Sequence, residues 1–290
     1  MRLAVVGSRG QLGAAVVHEC ARAHSVIALT RQDLDVTDDR AVRTIMARIK
    51  PDAIINCVGF NDVDGSEDRP VQALNGNAFA VRALAQAAMD LDATLVHYST
   101  DFVFDGTKAT PYTEDDRPNP RSVYGISKLL GEWFAADAPR AFILRVESLF
   151  GRAPEAAPAK GSAAALLNAM LGDQEVRVFV DRTITPTYVI DAAHATRQIL
   201  EGGIPPGLYH CVNSDQCTWL EFVEELAHQL KLDPRLRPVR LADIKLRAAR
   251  PRFCALSNAR LGSVGIAMPS WRDAVARYLQ TVDRRPHTAG

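Results

Sequence analysis

The sequence predicts an α/β protein with a doubly wound parallel sheet in its first half and a smaller α/β part behind it. Three observations predict this. Short apolar runs alternate with helical patterns up to about residue 150, a glycine-rich turn follows the first run, and the pattern loosens after Gly151. The apolar runs carry little polar alternation, as expected of strands covered on both faces.

Residues 2–6 read as the first strand, and the helical pattern after it spans residues 11–23. Residues 25–29 form a second strand. Residues 38–49 form a helix whose acidic first turn suits the positive end of the helix dipole. Residues 52–56 are the third strand, the Ala- and Leu-rich stretch 71–91 a long helix, and residues 93–98 the fourth strand. A helix over 123–136 leads to a fifth strand at 141–146. Residues 152–161, rich in Ala and Pro, read as a mobile loop of the kind that forms lids. A helix (163–171), a strand (176–180), a helix (191–200), a strand (208–212) and an amphipathic helix (219–230) follow. The polar end is expected to be disordered. The domain expectation is a dinucleotide-binding domain over 1–150, a predominantly substrate-binding part over 151–281 and a tail over 282–290.

Composition narrows the function. With 290 residues, 34 Lys and Arg balance 34 Asp and Glu, and 47% of residues are apolar. That length buries a sizeable core, and zero formal charge removes the electrostatic case for a nucleic-acid or anionic-membrane binder. No apolar run reaches the ~20 residues that cross a bilayer, and the apolar stretch before Gly7 is too short for a secretory signal. The five cysteines are odd in number and include no C-x-x-C pair, so neither a disulfide framework nor a zinc cage is expected. A cytoplasmic protein is the resulting expectation.

Two constellations carry chemistry. The first is Gly7-Ser8-Arg9-Gly10-Gln11-Leu12-Gly13, placed between a strand and a helix. Glycines at these three places permit a sharp turn, a close approach to a pyrophosphate and tight helix–strand packing. The helix start then offers free N–H groups to the phosphates, as in Rossmann-type folds. Arg31 ends the second strand, where the adenosine ribose of a dinucleotide would lie. An arginine there suits a 2′-phosphate, and Arg9 would bracket it, so NADPH is favoured over NADH. For either arginine alone a solvated surface role is the alternative. Asp35 and Val36 are candidates for the adenine amino group and ring face, with a plain loop acid as the alternative for Asp35. Cys57, Val58 and Gly59 follow the third strand on the cofactor side, with Cys57 read as an inert thiol.

The second constellation joins Ser99 and Thr100, at the end of the fourth strand, to Tyr124 and Lys128 at the start of a helix. Residues four apart share a helical face. A free tyrosine titrates near ~10, so a neighbouring ammonium is expected to lower the phenol into a useful range. Thr100 would hydrogen-bond a reacting carbonyl oxygen. The acids Glu114, Asp115 and Asp116 read as a solvated turn, and Asp62, Asp64, Glu67 and Asp68 as loop and helix-start acids. The seven histidines show no metal-ligand spacing, so no metal is assigned.

With these residues in hand, the chain resembles an extended short-chain dehydrogenase/reductase of the dTDP-4-dehydrorhamnose reductase family. The resemblance runs through most of the chain. It rests on the glycine loop with Gln11 and Leu12, on Asn56, Val63, Asp64 and Glu67, and on Asn75 and Ala78. Its most telling stretch runs from Val96 to Gly106, and it continues through Pro111 to Asp116 and Tyr124 to Leu129. Pro186-Thr187, Gly207 to His210, Arg250-Pro251 and Pro269 to Arg272 are similar to the family's C-terminal markers. The resemblance implies NAD(P)H-dependent reduction of the C4 ketone of a nucleotide-linked 4-keto-6-deoxysugar, with Tyr124 as proton donor. It also implies a nucleotide-sugar pocket in the C-terminal part and a homodimer.

The departures lie on the substrate side. Phe60 and Phe102 stand where the family usually has tyrosine, and Ser148 where it has tryptophan. Arg182 and Ile184 replace a Gln and a Gly. Asp101, Phe102, Ser148 and Arg182 are therefore the candidate substrate contacts. Arg182 is a candidate partner for a pyrophosphate or uronate, with a structural ion pair as its alternative. Two rival functions remain. One is a nucleotide-sugar epimerase or dehydratase, although dehydratases of this kind place Asp-Glu after the threonine and here Phe102 follows Asp101. The other is a non-catalytic subunit, since the regulatory subunit of methionine adenosyltransferase resembles the same family.

Overall fold

A computed structural model describes residues 1–154, 156 and 161–282. The sheet-forming half runs β1 (Arg2–Val6), α1 (Gln11–Cys20), β2 (Ser25–Leu29), α2 (Asp39–Ile49), β3 (Ala53–Asn56), α3 (Val63–Asp68), α4 (Pro70–Leu74), α5 (Ala80–Asp90), β4 (Thr94–Thr100), α6 (Val123–Ala136) and β5 (Ala141–Val146). After it come β6 (Leu149–Phe150), α7 (Ser162–Leu171), β7 (Val176–Phe179), β8 (Thr183–Ile184), β9 (Thr187–Tyr188), α8 (Val189–Glu201), β10 (Gly207–His210), β11 (Cys217–Thr218), α9 (Trp219–Leu230), β12 (Leu236–Val239), α10 (Ala259–Ser263) and α11 (Trp271–Leu279).

The main sheet has six strands in the order β10-β5-β4-β3-β1-β2. All its pairings are parallel. Val5, Ile55, Val96 and Leu144 point to one face, where α1 and α8 close over them. Val6, Ile54, Leu95 and Ile143 point to the other, against α2 and α5. This double cover explains the unbroken apolar character of the strands. β1 pairs with β2 on one side and β3 on the other, so the chain reverses its winding there. The open crevice at such a switch point lies beyond the strands' carboxyl ends. A separate aromatic core of Phe150, Tyr188, Phe222, Trp271 and Tyr278 holds the C-terminal part together.

Local chemistry sets the helix starts. The Asp38 side chain accepts from the Ala41 N–H, Ser122 caps α6 at Gly125, and Thr218 with Glu221 forms a capping box on α9. At α1 the preceding residue is Gly10, which has no side chain to cap with.

Three features differ from expectation. The sixth strand, β10, lies beyond residue 150, and α8 covers α1, so the dinucleotide-type layer draws on residues from both halves of the chain. The helix expected over 71–91 is interrupted by a π-helical turn, Asn75–Phe79. It holds Asn77 inward, where its Oδ1 accepts from the Phe60 N–H (2.7 Å) and its Nδ2 donates to the Ser127 hydroxyl (2.9 Å). Asp64, a helix-start acid as expected, and Glu114, expected to be solvated, are stitches between the two parts. Asp64 accepts from the Ala248 N–H at 2.9 Å, and the buried Glu114 accepts from the His210 N–H at 2.8 Å. The expected lid falls partly, at 155 and 157–160, outside the described residues, as do residues 283–290 of the tail.

Candidate active site

Two cavities, of about 840 and 630 Å³, share Gly10, Cys57, Val58, Gly59 and Asn61 and form one crevice along the carboxyl edge of the sheet. Gly7 takes φ +81° at the end of β1, and a Cβ on Gly13 would stand 2.2 Å from the Gly7 carbonyl oxygen. Only glycine lets α1 start this close to the strand. The first-turn N–H groups of α1 have no intrahelical acceptor and no side-chain cap. This is the cradle that a pyrophosphate fits.

Arg9 and Arg31 are exposed on the wall of the larger cavity, with Val36 beside them. Among the described residues neither arginine enters an ion pair. Asp35 also lines this cavity, but its Oδ1 accepts from the Thr37 N–H (3.0 Å) and hydroxyl (2.7 Å). Oδ1 thus shapes the turn before α2, while among the described residues Oδ2 takes no hydrogen bond and keeps one oxygen for the adenine contact expected of it. Gln11 reaches away from the phosphate cradle, donating from Nε2 to the Gly151 carbonyl at 2.6 Å, which leaves its backbone N–H for a phosphate. Leu12 is buried and lines the smaller cavity, and burial pushes the Cys57 thiol well up, as for an inert thiol.

Thr100, Tyr124 and Lys128 meet in the smaller cavity, all nearly buried. Thr100 is the last residue of β4. Tyr124 and Lys128 lie on the first turns of α6, one above the other. α6 comes this close because residue 125 is glycine; a Cβ there would lie 2.3 Å from the Phe102 carbonyl oxygen. The Phe102 ring meets Tyr124 edge-on at 5.4 Å.

The electrostatics differ from expectation. Burial pushes the Tyr124 phenol above its ordinary value, with the Thr100 hydroxyl opposing the rise and Asp101 adding to it. Lys128 is not among the groups that set this shift, and its ammonium donates to the Tyr98 carbonyl at 2.6 Å. Burial brings Lys128 down to about 8, with Glu132, one turn on, acting to hold the proton. In this state the site therefore holds a protonated phenol, which suits a proton donor. Ser99 lines the cavity, but its hydroxyl donates to Glu132 Oε1 (2.5 Å). Glu132 also takes two bonds from Arg145 at 2.8 and 2.7 Å.

The substrate-side candidates divide. Asp101, Phe102 and Ser148 line the cavity, Ser148 with a left-handed φ of 42°. Arg182 also lines it, yet it donates to the Pro251 carbonyl (3.2 Å) and the Cys254 sulfur (3.3 Å) and faces Asp101 and Glu147. Its structural role thus has direct support in these contacts. Sequence reasoning missed Glu147, buried at the end of β5, and Arg250, whose guanidinium lies over the Phe102 ring at 5.8 Å. A charged residue directly after an apolar strand was the available signal for Glu147.

Comparison with known proteins adds the family. The model of the RmlD substrate binding domain family matches residues 1–284. The spore coat polysaccharide biosynthesis protein SpsK of Bacillus subtilis (strain 168) is 31% identical, covering 96% of this chain and 97% of that protein. A dTDP-4-dehydrorhamnose reductase of Mycolicibacterium smegmatis is 32% identical, covering 94% and 84%. The crystal structure of dTDP-4-dehydrorhamnose reductase from Bacillus anthracis in complex with NADP superimposes with a TM-score of 0.91. It is 28% identical and covers 97% of this chain and 99% of that one.

Proposed function

The chain belongs to the RmlD substrate binding domain family, and from that premise we propose that it is an NAD(P)H-dependent reductase. Its substrate would be the C4 ketone of a nucleotide-linked 4-keto-6-deoxysugar, in deoxysugar biosynthesis. The observation that carries this reading is the meeting of Thr100, Tyr124 and Lys128 at the inner end of a crevice whose outer end is a glycine cradle.

The cradle fits a dinucleotide. The start of α1, with Gly7, Gly10, Gln11 and Leu12, would hold the pyrophosphate, and Val36, Cys57, Val58 and Gly59 would wall the crevice. Arg9 and Arg31 support NADPH over NADH, since both line the cavity and, among the described residues, neither enters an ion pair. When bound, the dihydronicotinamide supplies the hydride.

The protein's own groups handle the charge that develops on the ketone oxygen. Tyr124 gives that oxygen its phenolic proton, and the Thr100 hydroxyl donates a hydrogen bond to it. Both act most strongly where negative charge appears, so they favour the transition state over the bound ketone. Lys128 holds the cofactor ribose and steadies the phenolate that Tyr124 becomes. Asp101, Phe102 and Ser148 contact the sugar, and Phe102 in place of a tyrosine removes one hydroxyl from that contact. A homodimer is part of this reading. The exposed Phe79, Ile126 and Trp133 on the α5–α6 side support it, and sedimentation velocity tests it.

The test is a panel of dTDP-, UDP- and GDP-linked 4-keto-6-deoxysugars with NADPH and NADH, followed by cofactor absorbance. Oxidation dependent on one of these sugars supports the reading, and silence across the panel favours a non-catalytic subunit. Among the described residues no helix is long and apolar enough to cross a membrane.

A further inference from the structure

The mechanism above leaves Glu147 unused, although it is 2% exposed and sits beside the reacting groups. Its Oε2 accepts from the Thr185 N–H at 2.6 Å, while among the described residues its buried Oε1 has no hydrogen-bond partner. A buried carboxylate oxygen with no donor is costly. The nearby acid is Asp101: donor atoms of Asp101, Glu147 and Cys254 all lie within 4.8 Å of one another. A carboxylate cannot satisfy a second carboxylate, but a carboxylic acid can.

This trio has the donor set of a metal site, but a cation already stands there. The Arg182 guanidinium donates to Cys254 Sγ at 3.3 Å and attracts both carboxylates. One guanidinium offsets one negative charge. The second carboxyl then keeps its proton: burial pushes both acids in that direction, and the Asp101 charge adds to the push on Glu147.

Asp101 is joined to the chemistry. The Thr100 hydroxyl donates to Asp101 Oδ1 at 3.0 Å and is also within hydrogen-bond reach of the Tyr124 phenol. A hydroxyl has one hydrogen. While Thr100 gives it to Asp101, none remains for the ketone oxygen, whereas a protonated Asp101 donates to Thr100 and turns that hydrogen toward Tyr124 and the substrate. We propose that Asp101 and Glu147 share one proton and pass it through the Thr100 hydroxyl to the Tyr124 phenolate, restoring the acid after each turnover.

The proton balance closes. Tyr124 gives its proton to the alkoxide and takes the Thr100 hydroxyl proton. Thr100 takes one from Asp101, and the pair regains a proton from water once product has left. The groups facing the pair are Arg182 and Cys254, Tyr124 on α6, Thr185, and Cys217 on β11. Glu147 is a positioning residue that acts through Asp101 and Thr100, and the proposal rests on the reductase reading.

The test combines infrared spectroscopy with kinetics on the full chain. At pH 7 the wild type is expected to show a protonated-carboxyl band that E147Q lacks. E147Q should lower steady-state kcat about 10-fold or more, shift its alkaline limb to lower pH, and slow first-turnover hydride transfer by less than it slows the steady state. If E147Q fails to fold, the wild-type band and its titration test the proposal without any variant. An active wild type without the band overturns the proposal and spares the reductase reading. So does a folded E147Q with unchanged kcat and pH profile, or one that slows the first turnover as much as the steady state. A wild type inactive across the sugar panel overturns the reductase reading, and the proposal falls with it.

Discussion

Replacing Arg145 by methionine is expected to destabilise the protein sharply, for a reason that also bears on catalysis. Arg145 on β5 and Glu132 on α6 form a two-bond ion pair with side chains 2% and 5% exposed. Ser99 on β4 donates to the same carboxylate, and Lys128 lies one turn earlier on α6. The pair thus fixes the helix carrying Tyr124 and Lys128 against the strand carrying Thr100. Arg145→Met would strand a buried carboxylate with one hydroxyl and one distant ammonium, at a cost of about 3–5 kcal/mol. In a chain of this size that corresponds to a melting-point drop of roughly 5–8 °C. Combining it with Glu132→Gln removes the stranded charge while keeping an acceptor for Ser99, so the double variant should return to within about 2 kcal/mol of wild type. Urea unfolding followed by circular dichroism at pH 7 measures both. A loss below about 1 kcal/mol for the single variant, or a double variant no better than the sum of the singles, would refute this reasoning.

Three further outcomes follow from the site. Lys128 is needed as an ammonium and titrates at about 8, so kcat/KM should decline as pH rises past that value; a flat profile to pH 9.5 would remove the need for the charge. Stability responds oppositely. The folded state binds fewer protons than the unfolded chain between about 8 and 10.5, so this group's contribution to stability rises with pH across that window. Lys128→Met should therefore stabilise the fold at pH 7 while abolishing turnover, as thermal melts and rates will show. Arg9→Ala with Arg31→Ala should weaken NADPH binding about 10- to 100-fold and leave NADH unaffected. Equal losses for the two cofactors in fluorescence titrations would contradict a 2′-phosphate site.

The sequence revealed the main strands and the chemistry at their carboxyl ends because both are local. Val5, Ile55, Val96 and Leu144 announce burial by their runs, and Gly7 to Gly13 combines turn, cradle and helix start in one stretch. The two-residue strands β6, β8, β9 and β11 carry no periodicity and exist only through partners far away, as when Cys217 pairs with Ile184. The same holds for β10, which reads as a strand but gives no sign that it extends the main sheet beside β5. Within the site, Tyr124 and Lys128 are legible from helical spacing, whereas their protonation is not. That depends on the Tyr98 carbonyl taking Lys128 and on how deeply the phenol is buried. Arg182 shows the converse: its charge suggests a ligand, and its contacts with Cys254 and Pro251 supply a structural role.

The central claim is that the Tyr124 phenol protonates a ketone oxygen, and Tyr124→Phe tests it most directly. NADPH affinity and oxidation should be measured side by side for wild type and variant on the sugar that turns over best. The account predicts unchanged cofactor binding with kcat lowered about 10²- to 10⁴-fold. A Tyr124→Phe enzyme that binds NADPH and turns over at the wild-type rate would contradict it.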